Sequence, residues 1–492
     1  MAALRDLLHR IEYECVRGTL DREVTDIIYD SRKVAPGSMF VCIPGAVVDG
    51  HRFAKAAVEA GAEVLLVEKE MELPDDADVT VIRVPDTHYA MAFVCAAFFG
   101  HPAEEMKIIG ITGTKGKTTT TYLVKSILEQ AGRKTGLIGT IEIIIGDVHI
   151  HADHTTPESY LIQKYFRQMA DAGCDTVVME VSSQGLMLHR TQGFVFDFGI
   201  FTNLEPDHIG KGEHRDFEDY LHCKGLLFQQ CKVGIINKDD DYWKAVTEGH
   251  TCTLETYGID TEADLRAQNI TFLKEAGNLS TGFDVTGLMN FPVQIATPGK
   301  FSVYNALTAI AICRHFDVEK EAVKRALLQA KVKGRIEPVK VSDEFTLMID
   351  YAHNAMALKS LLTTLRAYDP HRLVCLFGCG GNRAKSRRYE MGEVSGNMAD
   401  LTIITSDNPR NEDPQAIIDD IKLGIGRTQG KYVEICDRKE AIAYAIDHGE
   451  PGDIIVLAGK GHEDYQEICG VKYPMDERVL IAEILEQRGQ HG

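Results

Sequence analysis

The stretch Ile108 to Thr121, IIGITGTKGKTTTT, constrains this chain more than any other. It reads as an apolar strand (Ile108, Ile109, Ile111), a glycine-rich turn and a helix start. Glycine tolerates the backbone angles that turn several N–H groups towards one phosphate. A helix starting near Lys117 aims the positive end of its dipole at the same place. Within Gly113-Thr114-Lys115-Gly116-Lys117-Thr118-Thr119, Lys117 is placed to reach terminal phosphates and the Thr118 hydroxyl to hold Mg²⁺. The strict P-loop pattern has a glycine five residues before Gly116, where this chain has Ile111. The loop is therefore of a GTxGKT kind. A Gly/Thr-rich turn before an ordinary helix is the plain alternative. Strand, turn, Lys-Thr pair and helix, all in the required order, argue against it.

A chain of 492 residues suggests about three domains. Its 44% apolar and 26% charged residues are those of a globular protein. The net charge of −20 disfavours nucleic acid or an anionic membrane as main partner, so an anionic substrate must be caught by local groups. No apolar run approaches the ~18 residues of a membrane span. The opening MAALRDLLHRIEYE lacks the apolar core of a signal peptide. The 12 cysteines are dispersed without a C-x-x-C pair. Reduced, buried thiols are expected rather than a zinc site, and the cytoplasm is the expected compartment.

Along the chain, strands alternate with helices, the pattern of an α/β protein with mostly parallel sheets. Residues 1–100 read as a first unit with turns at Ser31 and from Pro44 to Gly50. Its last helix, THYAMAFVCAAFF, ends at Gly100 and Pro102. Residues 101–333 carry the phosphate loop. Thr155-Thr156 before Pro157 suits a helix N-terminus, with a Thr as N-cap and Pro157 at the first helical position. DTVVMEVSSQGLMLHR opens as a buried strand run that ends in Glu180 and Ser182-Ser183. FTNLEPDH ends a second strand with Asn203, Asp207 and His208. Carboxylates past strand ends are where α/β proteins place ligand groups, which makes Glu180 a candidate Mg²⁺ ligand. HRDFEDYLHCKGLLF is an amphipathic helix carrying Lys224, where a lysine is ordinarily a solvated face residue. A later helix holds Asn305, and KVKGR with Arg335 closes the segment. Residues 334–492 repeat the alternation. Strand ends carry Asp350, the basic loop with Arg383, the run Asp407-Asn408-Pro409-Arg410, and Gly459 to Glu463. Three charged strand-end loops suggest a zwitterion pocket over a solvated rim.

GTKGKTTT, MEVSS, FTNLxxDH, YxxxK, GR, DYAHN and SDNPR, in this order, resemble the Mur ligases of bacterial cell-wall synthesis, most of all those that add the third residue of the peptide stem. The resemblance covers nearly the whole chain. It implies an ATP-dependent acid–amino-acid ligase of three domains: UDP-sugar-binding, central ATPase, and a Rossmann-like domain for the incoming amino acid. It implies UDP-N-acetylmuramoyl-L-alanyl-D-glutamate, ATP and meso-diaminopimelate as substrates, Mg²⁺ as cofactor, and a monomer. Ser31, Thr155, Thr156, Ser182 and Arg190 fall on contacts to the UDP-muramoyl dipeptide. Gly113 to Thr119, with Asn305, Arg335 and Asp350, fall on the ATP site. Thr118, Glu180, His208 and Lys224 fall on the metal and catalytic positions, Lys224 as a carbamate. Arg383, Asp407 to Arg410, Gly459 and Glu463 fall on the amino-acid pocket. His154 departs from the Asn often found before the Thr-Thr pair, and Leu188 from a polar contact of some members. An L-lysine-adding ligase, a folylpolyglutamate-synthetase-type ligase and a non-catalytic nucleotide-binding scaffold are the competing readings. The SDNPR loop and the N-terminal DSR…DGH pattern argue against the second. Lys117, Glu180, His208 and Lys224 argue against the third.

Overall fold

The computed structural model describes residues 1–45, 48–207, 209–210, 213–275 and 278–489. Two compact units make up the chain. One is Met1–Asp264 with Thr308–Glu319, the other Leu265–Leu307 with Lys320–Gly492. No helix among the described residues is long and apolar enough to cross a membrane.

The first unit holds two main sheets. The smaller is built from β1 (Glu14–Arg17), β2 (Ile27–Ile28), β3 (Ser38–Val41), β4 (Ala62–Val67) and β5 (Thr80–Arg83), in the order β1-β5-β4-β3-β2. Only β1 and β5 pair antiparallel. β3 and β4 are continuous apolar runs because both their faces are covered. Met39, Val41, Val64 and Leu66 pack with Met91, Val94 and Cys95 of helix α1 (Thr87–Phe98). Phe40, Leu65 and Val67 pack on the opposite face. Asp86 caps α1, accepting from Tyr89 N. Gly100, in the left-handed region at φ 72°, follows its end.

The larger sheet places the site. Its elements are β6 (Lys107–Thr112), α2 (Lys117–Gln130), β7 (Thr135–Ile138), β8 (Glu142–Ile145), β9 (Val148–His151), α3 (Ser159–Asp171), β10 (Thr176–Glu180), α4 (Ser183–Met187), β11 (Phe196–Phe201), α5 (Phe217–Gly225), β12 (Cys231–Asn237) and β13 (Thr253–Gly258). Within this unit the order is β9-β8-β7-β10-β6-β11-β12-β13, parallel except that β8 pairs antiparallel with both β7 and β9 at one edge. β6 lies between β10 and β11. Register pairs Glu180 with Ile111 and Phe201 with Thr112, so the three strands end together.

One local expectation holds and one is corrected. The strand that opens after Asp175 ends where it was expected to end. It stops at Glu180, and α4 follows, capped by Ser182, whose Oγ accepts from Gly185 N. Neither threonine of the Thr155-Thr156 pair caps α3. That helix begins at Ser159 after Glu158 and has no side-chain cap. Thr156 is instead drawn inward by hydrogen bonds to the β10 end.

The second unit contains the antiparallel strands β14 (Leu265–Glu275), β15 (Asn278–Gly287) and β16 (Phe291–Ile295). Helices α6 (Lys300–Cys313), which crosses the boundary between the units, and α7 (Lys320–Gln329) follow. A second sheet is built from β17 (Glu337–Val339), β18 (Thr346–Asp350), α8 (Ala355–Arg366), β19 (Leu373–Phe377), α9 (Lys385–Met398), β20 (Leu401–Ile404), α10 (Pro414–Ile425), β21 (Tyr432–Glu434), α11 (Arg438–Asp447), β22 (Ile454–Ala458), the hairpin β23 (Tyr465–Ile468) and β24 (Val471–Pro474), and α12 (Glu477–Gly489). Its order is β17-β18-β22-β19-β20-β21, parallel apart from β17. Met348, Cys375 and Val456 pack under α8 and α10, while Leu347, Leu376 and Ile455 pack under α11 and α12.

α9 and α10 touch through glycines. A methyl group on Gly424 would lie 2.1 Å from the Tyr389 carbonyl oxygen, and one on Gly392 would lie 2.3 Å from that of Ile421. At a free helix position alanine outperforms glycine by ~1 kcal/mol. Here overpacking, typically ~1–3 kcal/mol, opposes that gain. Gly424→Ala is therefore expected to lower the urea midpoint of the transition that unfolds this unit; a raised midpoint would show that backbone contact does not set the helix spacing.

Candidate active site

The phosphate-type loop between β6 and α2 has the conformation its glycines permit. Gly113 sits at φ 146° and Gly116 at φ 87°. A Cβ on Gly113 would lie 2.0 Å from Thr202 Oγ1. The segment after β11 clamps the loop. Thr114 N donates to Asn203 O and Lys115 N to Asn203 Oδ1, both at 2.9 Å. Asn203 Nδ2 and Thr202 Oγ1 donate to Lys115 O at 2.9 and 2.8 Å. Lys115 pairs with Glu205 at 2.6 Å. Lys117 folds back over the loop, donating to Gly113 O at 2.8 Å and Thr114 O at 3.0 Å.

Lys224 is not a solvated face residue. It is 1% exposed, and its Nζ donates to Gly113 O at 2.9 Å. Tyr220, one helical turn earlier on α5, places its ring 4.6 Å from that Nζ and its hydroxyl 3.0 Å from Thr114 Oγ1. The i, i+4 spacing puts both side chains on one helix face, and that face covers the loop. Burial, and next the Lys117 ammonium, pull the Lys224 amine well below its ordinary range.

Glu180 ends β10, fully buried. Its Oε2 accepts from Thr118 Oγ1 and Thr140 Oγ1, both at 3.0 Å, and its Oε1 from Thr140 N at 2.8 Å. Thr140 Oγ1 lies 3.0 Å from Thr155 Oγ1. Thr156 Oγ1 donates to Glu180 O at 3.0 Å and accepts from Ser182 N at 2.9 Å. Arg190 Nη1 donates to Thr156 O at 3.0 Å, and its Nη2 pairs with Glu158 at 2.5 Å. The structure thus brings Lys117, Thr118, Thr155, Thr156, Glu180, Ser182, Arg190 and Lys224 to one end of the sheet. The oxygen donors there, Glu180 and Thr118, are of the hard kind that suits Mg²⁺. His208 lies outside the described residues. Ser31 opens a short 3₁₀ turn capped by Asp30 and makes no hydrogen bond to the others.

In the second unit the strand ends of the six-stranded sheet gather a second group. Asn408 N donates to Asp407 Oδ1 at 2.6 Å, and Asn408 Nδ2 to Glu463 Oε2 at 2.8 Å. Arg410, at φ 54°, does not pair with the nearby Glu412 or Asp413. Arg388 takes Glu412, at 2.8 Å, while Arg410 Nε donates to Glu467 at 3.1 Å and its Nη1 to Gly381 O at 2.7 Å. A Cβ on Gly459 would lie 3.0 Å from Asp407 Oδ2. Arg383 is exposed. Gly459 N donates to Asp350 O at 3.0 Å. Asp350 Oδ2 accepts from Ile336 N at 2.8 Å, and the Arg335 guanidinium lies 4.8 Å over the Tyr351 ring. Burial raises the Asp350 carboxyl above its ordinary range despite Arg335. Asn305 is buried on α6. Sequence reasoning passed over Thr140 and Lys460. Thr140 follows an ordinary strand, GLIGT, and only the pairing of β7 with β10 puts it beside Glu180.

The model of the Mur ligase middle domain matches residues 111–313, that of the Mur ligase glutamate ligase domain residues 334–461, and that of the Mur ligase family catalytic domain residues 23–99. A UDP-N-acetylmuramoyl-L-alanyl-D-glutamate--2,6-diaminopimelate ligase of Clostridium perfringens is 39% identical over 490 residues, covering 98% of this chain and 99% of its own. One of Clostridium acetobutylicum is 42% identical with the same coverage. A solved structure of a ligase of that name superposes with a TM-score of 0.73 at 28% identity, covering 100% of this chain and 99% of its own. Three models in order along the chain, and relatives matched over nearly their full length, lead to one conclusion: the chain belongs to the Mur ligase family.

Proposed function

We propose that this Mur ligase joins meso-diaminopimelate to UDP-N-acetylmuramoyl-L-alanyl-D-glutamate, with ATP as phosphoryl donor, in the cytoplasmic synthesis of peptidoglycan precursor. The observation that carries the chemistry is the meeting of Lys117 and Lys224 on the Gly113 carbonyl, 2.8 and 2.9 Å away, beside buried Glu180. The names of the relatives and the Arg410 loop support the choice of amino acid. We further propose three domains, 1–100 for the UDP-sugar, 101–333 for ATP and 334–492 for the amino acid.

In this reading the D-glutamyl side-chain carboxylate attacks the γ-phosphorus of ATP, and the bond from that phosphorus to ADP breaks. The resulting acyl phosphate is attacked by the amino group of the third residue, which loses a proton as phosphate leaves. Phosphoryl transfer of this kind needs positioning and charge neutralisation more than covalent help. Lys117 swings from the loop carbonyls to the phosphates. The N–H groups at the α2 N-terminus bind them, those of Thr114 and Lys115 being taken by Asn203. Thr155, Thr156, Ser182 and Arg190 orient the dipeptide. Thr118, Glu180, His208 and a carbamate on Lys224 would hold Mg²⁺, which when bound neutralises charge on the phosphate oxygens. Buried Lys224, its amine pulled towards the neutral form, is suited to take up CO₂. The carbamate would convert a cation facing phosphate into an oxygen donor. In the amino-acid pocket Arg410 and Arg383 read carboxylates, and Glu463 accepts from the ammonium. Arg410 is held in register by Glu467 and Gly381. The ammonium of L-lysine would meet that guanidinium with like charge.

The deciding experiment supplies UDP-N-acetylmuramoyl-L-alanyl-D-glutamate, ATP and Mg²⁺, and measures ADP formation with amino acids offered singly. Turnover with meso-diaminopimelate well above that with L-lysine is expected. Comparable kcat/KM for the two would overturn the choice of amino acid and leave the ligase standing. Lys117→Ala is expected to abolish ADP formation without unfolding the chain, since the bonds from Asn203 and Thr202 that clamp the loop do not involve its side chain. Undiminished turnover would sink the phosphate-loop assignment. Lys224→Ala should lose activity and regain part of it with added short carboxylates. Failure of every small carboxylate to rescue would count against the carbamate. Arg410→Ala should lower kcat/KM for meso-diaminopimelate by roughly a hundredfold or more, as for a site built around a charged group, and erase the preference over L-lysine.

A further inference from the structure

Lys460 follows Gly459 in the turn after β22 and is completely buried. Its ammonium sits where three segments meet. Nζ donates to Asn408 Oδ1 at 2.9 Å, to Glu463 Oε2 at 2.7 Å and to the Tyr465 carbonyl. These use all three of its N–H bonds. Asn408 Oδ1 also accepts from Glu467 N at 2.9 Å. Two donors on that oxygen fix which way the amide faces, so Asn408 Nδ2 must point at Glu463 Oε2, 2.8 Å away. Glu463 Oε2 therefore receives two donors, one of them charged. No described donor reaches Oε1, and the Glu463 side chain keeps 17% of its surface exposed.

Stability alone does not call for this arrangement. A buried ion pair is often matched or bettered by apolar side chains of similar volume. What the ammonium adds is orientation: a glutamate that would otherwise rotate is pinned by one oxygen and offers the other.

We infer that Lys460 is a positioning residue for the incoming amino acid, holding Glu463 and Asn408 so that Glu463 Oε1 captures its ammonium group. This rests on the reading of residues 407–410, 459 and 463 as the amino-acid pocket. The lysine itself, with every N–H used inside the protein, touches no substrate.

The test is a double-mutant cycle on the full-length enzyme, with KM measured separately for each of the three substrates. Glu463→Gln is the reference. If it leaves KM for meso-diaminopimelate unchanged, the pocket reading fails and the inference falls with it. Given that it raises that KM, Lys460→Met, unbranched and of similar volume, is expected to raise it roughly tenfold as well. KM for ATP and for the UDP-dipeptide should stay as they were. In the Glu463→Gln background, Lys460→Met should add little, because both changes remove one interaction. An unchanged KM, a fall in kcat with all three KM values preserved, or multiplying effects in the double variant would each overturn the proposal. Should Lys460→Met fail to fold, Lys460→Gln, which keeps two donors, is judged by the same cycle. A chain that folds with neither would make Lys460 a stability residue and refute the inference.

Discussion

Two ammonium groups, those of Lys117 and Lys224, donate to the same carbonyl oxygen, that of Gly113. Like charges this close repel, and burial adds to the cost of charging Lys224. The arrangement resolves by pulling Lys224 towards its neutral form, which changes what that side chain can do chemically. Much of the first unit is arranged so that this carbonyl faces both amines. Gly113 must adopt φ 146°, which only glycine takes without strain, and nothing larger than hydrogen fits beside Thr202. Tyr220 must share a helix face with Lys224 to cover the loop. β11 must end level with β6, or Asn203 would miss the Thr114 and Lys115 amides.

The same parallel register sets the other wall. β10 ends level with β6 on the side away from β11, which puts Glu180 under Thr118, and β7 on its far side brings Thr140 to the same carboxylate. A buried carboxylate with three donors is held in one orientation. Thr156 continues the chain of bonds from the Glu180 carbonyl to the Ser182 amide, and Arg190 continues it to the Thr156 carbonyl. Residues about 30 apart in sequence are thus locked to one strand end by hydrogen bonds.

Much of this was legible in the sequence. The alternation of strands and helices, the phosphate-type loop, and the concentration of chemistry-bearing residues after strand ends follow from periodicity and motif order. What was not legible depends on partners far away in sequence. Thr156 has the local signature of a helix cap, yet a buried carbonyl and amide of β10 and its following turn outbid the helix for its hydroxyl. Lys224 has the signature of a solvated lysine, because amphipathicity does not say that a second layer covers the polar face. Arg410 has two acidic neighbours within three residues, but its left-handed backbone turns the guanidinium to Glu467 on a hairpin more than fifty residues on. The glycines of α9 and α10 look like weak helix positions until the two backbones are seen to touch.

Part of the backbone strain in the second unit falls on loops that also carry its chemistry. Ile336, β-branched, stands at φ 43°, a region such residues avoid. It is kept there by specific bonds. Its amide donates to Asp350 Oδ2 at 2.8 Å, and the Gly334 amide donates to Glu337 Oε2 at 2.6 Å. Gly334 lies so close to Gly461 and His462 that a methyl group would come within 2.1 Å of the His462 nitrogen. The consequence is the position of Arg335 between them, over the face of Tyr351, whose ring also neighbours His462 at 4.6 Å. Burial and then Glu463 push the Tyr351 hydroxyl up to about 12, so it remains a neutral donor at any physiological pH. The strained backbone thus sets the Arg335 guanidinium on the Tyr351 ring, next to the Asp350 carboxylate that anchors the Ile336 amide.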